Sequence, residues 1–166
     1  VRYALKTRDN ARVHPAVAVL TEVGLEDFSI GNREHPGTGW ENRDCLNSGT
    51  AAYDVHQSYL FAFTGVENSW IRRVSSFRPS GNTLEVHKLS NGVLLHNCRF
   101  VSIEEVEMQR VQYGGWGGNG YNFRLQQAAD NLIKNSLAAY NRHGFVFSHM
   151  ATSGNVIHNS VDRESG

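Results

Sequence analysis

The sequence has little of several features that mark common protein classes. It contains two cysteines in 166 residues, which is too few for a scaffold held together by disulfides. No apolar run approaches the roughly 18 residues that cross a bilayer, so we expect no membrane-spanning segment. The formal net charge is zero, with 16 basic and 16 acidic residues. Proteins that bind nucleic acid normally carry a basic excess, and we therefore expect no nucleic-acid partner.

The remaining bulk properties are those of a folded domain. Hydrophobic residues make up 40% of the chain and charged residues 19%, and this length is sufficient for one domain with a sizeable core. We expect residues 1–166 to form a single domain. The chain starts at Val1 without a signal-peptide pattern, which indicates a processed protein or a piece of a longer one. Cys45 and Cys98 leave two alternatives open, one disulfide or two buried thiols.

What the sequence does contain is a repeat. An aromatic-x-aromatic pair is followed by Asn-(Leu/Val)-Ile-x-Asn-Ser, first at residues 121–136 and again at residues 145–160. The two copies are offset by 24 residues (145 − 121, and 156 − 132). A fixed period in the twenties, made of short apolar runs and polar turns, is typical of a stacked solenoid.

Earlier segments of the chain fit the same repeat. Aligning Trp70, Leu94, Leu132 and Val156 gives spacings of 24, 38 and 24 residues, which predicts an insertion at 102–118. Apolar residues recur at every second position and β-branched residues are frequent, so the segments are predicted strands rather than helices. In a stack, each strand lies parallel to its counterpart in the next coil.

This combination of Asn-(Leu/Val)-Ile-x-Asn-Ser and aromatic strands resembles the right-handed parallel β-helices of the pectate-lyase-like superfamily. Residues 23–30 and 66–74 also look like coils of that group, and the resemblance covers residues 20–162. It implies an all-β, right-handed parallel β-helix of about six coils with a loop insertion, located outside the cell or at its surface. The superfamily includes lyases, hydrolases, epimerases, tailspikes and adhesins, so the resemblance implies no catalytic residue.

Asparagines recur at equivalent positions of the repeat. Asn97, Asn135 and Asn159 follow the strands, and Asn131 and Asn155 precede them. Such positions form either a hydrogen-bonded asparagine ladder at a turn or a polar track for a ligand.

A row of cationic and titratable residues is predicted beside them. Arg72, His96, Lys134 and His158 alternate with apolar residues and should face outward. The row is either a solvated face or a positive stripe for an anionic polymer, and in the second case Lys134 and His158 bind substrate.

The glycine-rich end of the predicted insertion is a candidate sugar-binding loop. Tyr113, Trp116 and Asn119 lie among five glycines in residues 113–120. Aromatic rings cover the apolar faces of sugars, and loops on a rigid scaffold often carry function. The alternative is that Trp116 caps a neighbouring hydrophobic surface.

The region 119–150 has a positive balance and supplies candidates for β-elimination on an acidic polysaccharide. Such an enzyme neutralises the uronic-acid carboxylate and removes the proton beside it. Arg124 and Arg142 are the candidate carboxylate clamps, and His143 or Tyr140 is the candidate base. Alternatively, Arg142 and His143 only cap a turn.

Two further functions remain open at this point. A glycoside hydrolase needs two opposed carboxyl groups, for which Glu104, Glu105 or Glu107 could act with Asp130 or Asp54, although no spacing supports a pair. A non-catalytic glycan-binding module, an adhesin-like or tailspike-like shaft, or a fragment lacking its active site fits the repeat equally well.

We expect no cofactor and no metal. The histidines lack the spacing of a zinc site. Calcium needs clustered oxygen ligands, and the sequence offers only Glu104 and Glu105 as such a cluster.

Overall fold

A computed structural model describes residues 20–166, and all structural statements below concern these residues. The predictions that fall on residues 1–19 lie outside them. Apart from a 3-10 turn at Asp44–Leu46 and the short helix α1, the regular structure consists of strands. The elements are β1 (Leu20–Thr21), β2 (Gly24–Ile30), α1 (Ala51–Asp54), β3 (Tyr59–Thr64), β4 (Val66–Ser76), β5 (Asn91–His96), β6 (Arg99–Glu104), β7 (Glu107–Gln109), β8 (Tyr121–Gln126), β9 (Leu132–Lys134), β10 (Leu137–Asn141), β11 (His143–Ser148), β12 (Val156–His158) and β13 (Val161–Ser165).

The strands form two sheets in which all pairs are parallel. The larger sheet has nine strands, with β12-β9-β6-β4-β7-β10-β13 as its main path and β1 and β2 pairing with β4. The smaller sheet has four strands in the order β11-β8-β5-β3. The protein is therefore all-β with long parallel sheets, an architecture compatible with the expected β-helix.

The strand register confirms the predicted offset of the Asn-(Leu/Val)-Ile-x-Asn-Ser segments and corrects the offset predicted for the aromatic strands. Leu132 pairs with Val156, which is the predicted offset of 24 residues. In the aromatic strands, however, Phe123 pairs with Phe145, an offset of only 22 (145 − 123). The two additional residues lie between β11 and β12, where the Thr152 N–H donates to the His149 carbonyl in a turn.

The predicted alignment of Leu94 was wrong. Leu94 lies in the smaller sheet between Ala62 and Arg124, and the neighbour of Leu132 is Ser102, which in turn pairs with Trp70. The predicted insertion at 102–118 therefore begins with strand residues of β6 and contains β7. The irregular stretch runs from 110 to 120, between β7 and β8, and so extends beyond the predicted insertion.

The bends between strands repeat their backbone conformation from one turn of the stack to the next. We call each such turn a level, so that in-register strands of one sheet lie on consecutive levels. Asp27, Arg73, Glu105, Asn135 and Asn159 stand at equivalent positions, and all five have φ between 45° and 62°. The left-handed region costs most residues free energy and persists only where the surrounding structure requires it. Asn97, predicted to belong to this row, occupies a different bend, and Glu105 takes its place. Three further bends repeat in the same way: Glu22, Asn68, Phe100, Asp130 and Gly154; Gly65, Asn97, Gln127 and His149; and Arg110, Tyr140 and Glu164.

The core runs between the sheets and is built from the inward-facing apolar side chains of the strands. The main cluster includes Ile71, Ile103 and Ile133, which stack in register and are fully buried. Phe123 and Phe145 stack face to face with ring centroids 5.1 Å apart. This packing fixes where the outward-facing side chains stand.

The asparagine ladder is confirmed at two bends. Asn159 Nδ2 donates to Asn135 Oδ1 at 2.8 Å, and Asn131 Nδ2 donates to Asn155 Oδ1 at the same distance. Asn131 is buried, and its Oδ1 accepts from the Val101 backbone N–H at 2.9 Å.

We expect Asn131→Ala to lower the free energy of unfolding by about 2–4 kcal/mol, because it leaves the buried Val101 N–H without a partner. The matched control is Asn159→Ala, an exposed residue of the ladder whose side chain donates one hydrogen bond, to Asn135 Oδ1, and this variant should cost about 1 kcal/mol or less. Urea unfolding followed by circular dichroism measures both. Equal losses in the two variants would contradict the role assigned to Asn131.

Candidate functional site

The glycine-rich loop 110–120 is held against the segment that surrounds α1. The Tyr113 hydroxyl donates to the Asn42 carbonyl at 2.9 Å, and its ring is buried. Burial raises the pKa of Tyr113 to about 12, so the phenol remains a protonated donor at neutral pH. Asn119 is also buried, and its Oδ1 accepts from the Gln57 N–H at 2.8 Å. Tyr113 and Asn119, predicted to bind substrate, therefore anchor the loop.

Trp116 is the exposed aromatic residue of this loop, with 38% of its surface accessible. Its backbone N–H donates to Asn42 Oδ1 at 2.8 Å, and its carbonyl accepts from Arg142 Nη1 at 2.6 Å. The guanidinium of Arg43 lies 4.2 Å from the centre of its ring. Arg43 thus lies against the ring of Trp116, and Arg142 holds the backbone of the same residue.

A second group of functional side chains lies on the outer face of the smaller sheet. Tyr121 and His143 are in-register neighbours on β8 and β11, with ring centroids 5.4 Å apart. The Arg124 guanidinium lies 5.6 Å from the Tyr121 ring, and its Nη1 donates to the Tyr59 hydroxyl at 2.9 Å. The Gly118 N–H donates to the Tyr121 hydroxyl at 3.2 Å, which connects this group to the loop.

Together these groups form what we call the aromatic–arginine surface. Its members are Arg43, Trp116, Tyr121, Arg124, Arg142 and His143. Among residues 20–166, no carboxylate forms an ion pair with any of the three arginines, whereas Arg73, Arg78 and Arg99 each have at least one. The three guanidiniums of the surface therefore have no ion-paired carboxylate among the described residues.

Tyr140 lies in an open cleft beside this surface. The cleft has a volume of about 540 Å³ and is lined by Arg142, Tyr140, Glu164, Val111 and Gly114, among others. The ring of Tyr140 is stacked under the Arg110 guanidinium at 4.3 Å. Of the four predicted catalytic residues, Arg124 and His143 share one group around Tyr121, and Arg142 and Tyr140 share the cleft.

Lys134 and His158 lie elsewhere, on the outer face of the larger sheet. Their row runs Glu26, Arg72, Glu104, Lys134 and His158 in consecutive levels. Lys134 Nζ lies 3.2 Å from Glu104 Oε2. The row therefore alternates in charge, and the positive stripe predicted from the sequence is not formed because Glu104, not His96, follows Arg72.

Two of the carboxylates considered for hydrolysis form ion pairs, and a third lies beside a histidine. Glu104 pairs with Lys134, and Asp130 Oδ2 lies 3.4 Å from Arg99 Nε. Asp54 Oδ2 lies 3.6 Å from His35 Nε2. In the described part of the chain, no three histidine, cysteine, aspartate or glutamate side chains gather as a metal-binding group, and no helix is long and apolar enough to span a membrane. Cys45 and Cys98 are both free, buried thiols.

Sequence reasoning missed Arg43, Tyr59 and Tyr121 as members or supports of this surface. Tyr121 had a signal, since it opens the repeated aromatic-x-aromatic pair. Arg43 had no signal, because it lies outside the repeated segments and no spacing relates it to Trp116.

The fold and the surface define an all-β protein of parallel sheets that carries an aromatic and cationic patch at one corner. Comparisons with protein-family models, with curated proteins and with solved structures find no match for this chain.

Proposed function

We propose that this protein is a right-handed parallel β-helix that recognises an acidic polysaccharide at the aromatic–arginine surface. The observation that carries the proposal is a group of three guanidiniums, from Arg43, Arg124 and Arg142, beside Trp116 and Tyr121. Within residues 20–166 none of the three forms an ion pair with a carboxylate. Guanidinium groups bind carboxylates through paired charge-assisted hydrogen bonds. The aromatic rings offer the apolar surface that a sugar ring can cover.

The same surface supports β-elimination as the reaction. Arg124 or Arg142 would hold the uronic-acid carboxylate and stabilise the negative charge that develops when the adjacent carbon loses its proton. His143, beside Tyr121, would accept that proton, and the glycosidic oxygen on the neighbouring carbon would leave as the double bond forms. Tyr140 in the adjoining cleft is the second candidate base.

A non-catalytic glycan-binding module is the second candidate function. The observation in its favour is that both candidate bases are exposed to solvent, Tyr140 by 41% of its surface. Active sites normally exclude water around the reacting groups, because electrostatic stabilisation weakens in a high dielectric.

One experiment separates the two functions. The protein is incubated with a panel of polyuronates, including polygalacturonate and alginate, while ultraviolet absorbance reports unsaturated products and affinity electrophoresis reports binding. Binding with product formation supports the lyase, and binding without product supports the module. The absence of both with every polyuronate would contradict the proposal.

We expect Trp116→Ala to weaken polyuronate binding by about 1 kcal/mol, or roughly fivefold in Kd, because the sugar loses an aromatic contact. Phe100→Ala is a matched control. Phe100 is also an exposed aromatic with positive φ under an arginine, at 4.3 Å from Arg99, but it lies outside the surface. Isothermal titration calorimetry measures both affinities. If the two variants bind equally well, Trp116 is not part of the binding surface.

A further inference from the structure

Tyr121 is the side chain next to the candidate base His143. The two residues are in register on β8 and β11, and their ring centroids lie 5.4 Å apart. β-Elimination requires a proton donor as well as a base, because the glycosidic oxygen leaves with negative charge unless it is protonated. A hydroxyl beside His143 can donate to an oxygen of the same sugar from which His143 removes a proton.

The hydrogen bonding of the Tyr121 hydroxyl leaves its proton available. The oxygen accepts a hydrogen bond from the Gly118 N–H at 3.2 Å. Among residues 20–166, no protein group accepts the hydroxyl proton itself. A backbone N–H aimed at the phenol oxygen stabilises the negative charge that develops there while the proton is transferred. The hydroxyl can therefore act as a donor to a bound substrate.

A buried side chain holds Gly118 and Tyr121 in this arrangement. Asn91 is 1% exposed; its Nδ2 donates to the Gly118 carbonyl at 2.9 Å and its Oδ1 accepts from the Tyr121 N–H at 2.8 Å. Residue 118 has a φ of 92°, and a Cβ there would lie 2.7 Å from Gln57 Nε2, so the position requires glycine. The N–H that contacts the Tyr121 hydroxyl is thus fixed before any substrate binds.

The placement of Tyr121 and His143 also determines the stereochemistry that they can support. They are neighbours on the outer face of one sheet, so a sugar bound over them meets both side chains from the same side. Removal of a proton and protonation of the leaving oxygen on one side of the ring is a syn elimination. In 4-linked D-glucuronate and D-mannuronate the C5 proton and the C4 oxygen lie on the same face of the ring. In D-galacturonate and L-guluronate they lie on opposite faces.

We propose that Tyr121 is the general acid of the lyase reaction, and that Tyr121 and His143 together catalyse syn elimination on a polymer of D-glucuronate or D-mannuronate. The imidazole of His143 takes the C5 proton, and the electron pair of that bond forms the double bond between C4 and C5. The bond from C4 to the glycosidic oxygen breaks, and this oxygen receives the Tyr121 proton. The imidazolium then returns a proton to the phenolate through solvent. The inference rests on the proposed function in its lyase form.

The test compares wild type, Tyr121→Phe and His143→Ala on polyglucuronate and polymannuronate, and on a uronate that carries a nitrophenoxide at C4. Tyr121→Phe keeps the ring and should lower kcat on the cleaved polymer by about 10²- to 10⁴-fold, with little change in Kd. Nitrophenoxide leaves without a proton, so Tyr121→Phe should match the wild type on this analogue. His143→Ala should be impaired on both substrates, because each requires a base.

The matched control is Tyr53→Phe, which removes the hydroxyl of an exposed tyrosine on α1, outside the aromatic–arginine surface. It should retain the wild-type kcat on both substrates, and circular dichroism verifies that all variants are folded. The wild type should cleave polyglucuronate or polymannuronate and leave polygalacturonate and polyguluronate intact.

Three results would overturn the inference and leave the lyase proposal standing. They are undiminished kcat of Tyr121→Phe on the polymer, an equal loss by Tyr121→Phe on the analogue, and a wild type that cleaves only polygalacturonate or polyguluronate. A wild type that forms no unsaturated product from any polyuronate would overturn the lyase proposal and the inference together.

Discussion

Replacing Lys88 by methionine is expected to raise the free energy of unfolding by about 5 kcal/mol at pH 7 and below. Lys88 is 0% exposed, and within the described chain its Nζ has no hydrogen-bond partner. Burial lowers its pKa from 10.5 to about 7. At 1.36 kcal/mol for each pKa unit, the difference corresponds to about 5 kcal/mol, which is the cost of keeping the charged amine in the folded state. Methionine has a similar length and no charge to desolvate.

The stability that Lys88→Met gains over the wild type should decrease as the pH rises. Between about pH 7 and pH 10.5 the unfolded chain binds a proton at Lys88 that the folded chain does not. The stability of the wild type therefore rises with pH across this window. Below pH 7 both states are protonated, and the full cost remains. Above pH 10.5 both are neutral, so the advantage of Lys88→Met should disappear there.

The control for Lys88→Met is Lys134→Met, which removes a partly exposed lysine paired with Glu104. Its effect should stay within about 1 kcal/mol. Denaturant unfolding at pH 6, 8 and 10 measures all three proteins. A Lys88→Met variant that is less stable than the wild type at pH 6 would show that the amine has a stabilising partner in the folded protein.

The second large effect is expected at His143. If the protein is a lyase with His143 as its base, His143→Ala should lower kcat on polyuronates by about 10²- to 10⁴-fold, the usual contribution of a general base. Binding should change little, because Arg124 and Arg142, which hold the carboxylate, are unaltered. The initial rate of absorbance increase and the calorimetric Kd measure the two quantities separately.

His149→Ala is the control for His143→Ala. His149 is an exposed histidine on the same level, in a bend outside the aromatic–arginine surface, and its removal should leave kcat unchanged. Retained activity in His143→Ala, together with lost activity in Tyr140→Phe, would transfer the role of base to Tyr140.

The sequence predicts the strands well because inward and outward residues alternate cleanly, and it predicts one register because Asn-x-Ile-x-Asn-Ser is repeated without insertion. It misplaced Leu94 for a physical reason. The segment around Leu94 and the segment around Leu132 both end in an asparagine with positive φ, Asn97 at 53° and Asn135 at 51°. Both bends require the left-handed backbone conformation, but they follow strands of different sheets. The local sequence pattern therefore cannot distinguish them.

The candidate site was predictable where it follows from the strands and not where it depends on loops. Arg124 and His143 lie on the predicted strands, and parallel pairing of β8 and β11 brings them near each other. Tyr113 and Asn119 turned out to be anchors, because their partners come from residues 42 and 57, more than sixty positions away in the chain. The contact of Arg43 with Trp116 also requires the folding of two loops that have no regular pattern.

The most direct test of the proposed function compares the wild type with the double variant Arg124→Gln/Arg142→Gln in calorimetric titrations with polygalacturonate and with neutral dextran. Glutamine can still donate hydrogen bonds, but it carries no charge. The wild type is predicted to bind polygalacturonate, more weakly as salt is added, and the double variant to bind it at least tenfold more weakly. Equal affinity of the two proteins for polygalacturonate, or equal affinity of the wild type for both polymers, would contradict the assignment of this surface to an acidic polysaccharide.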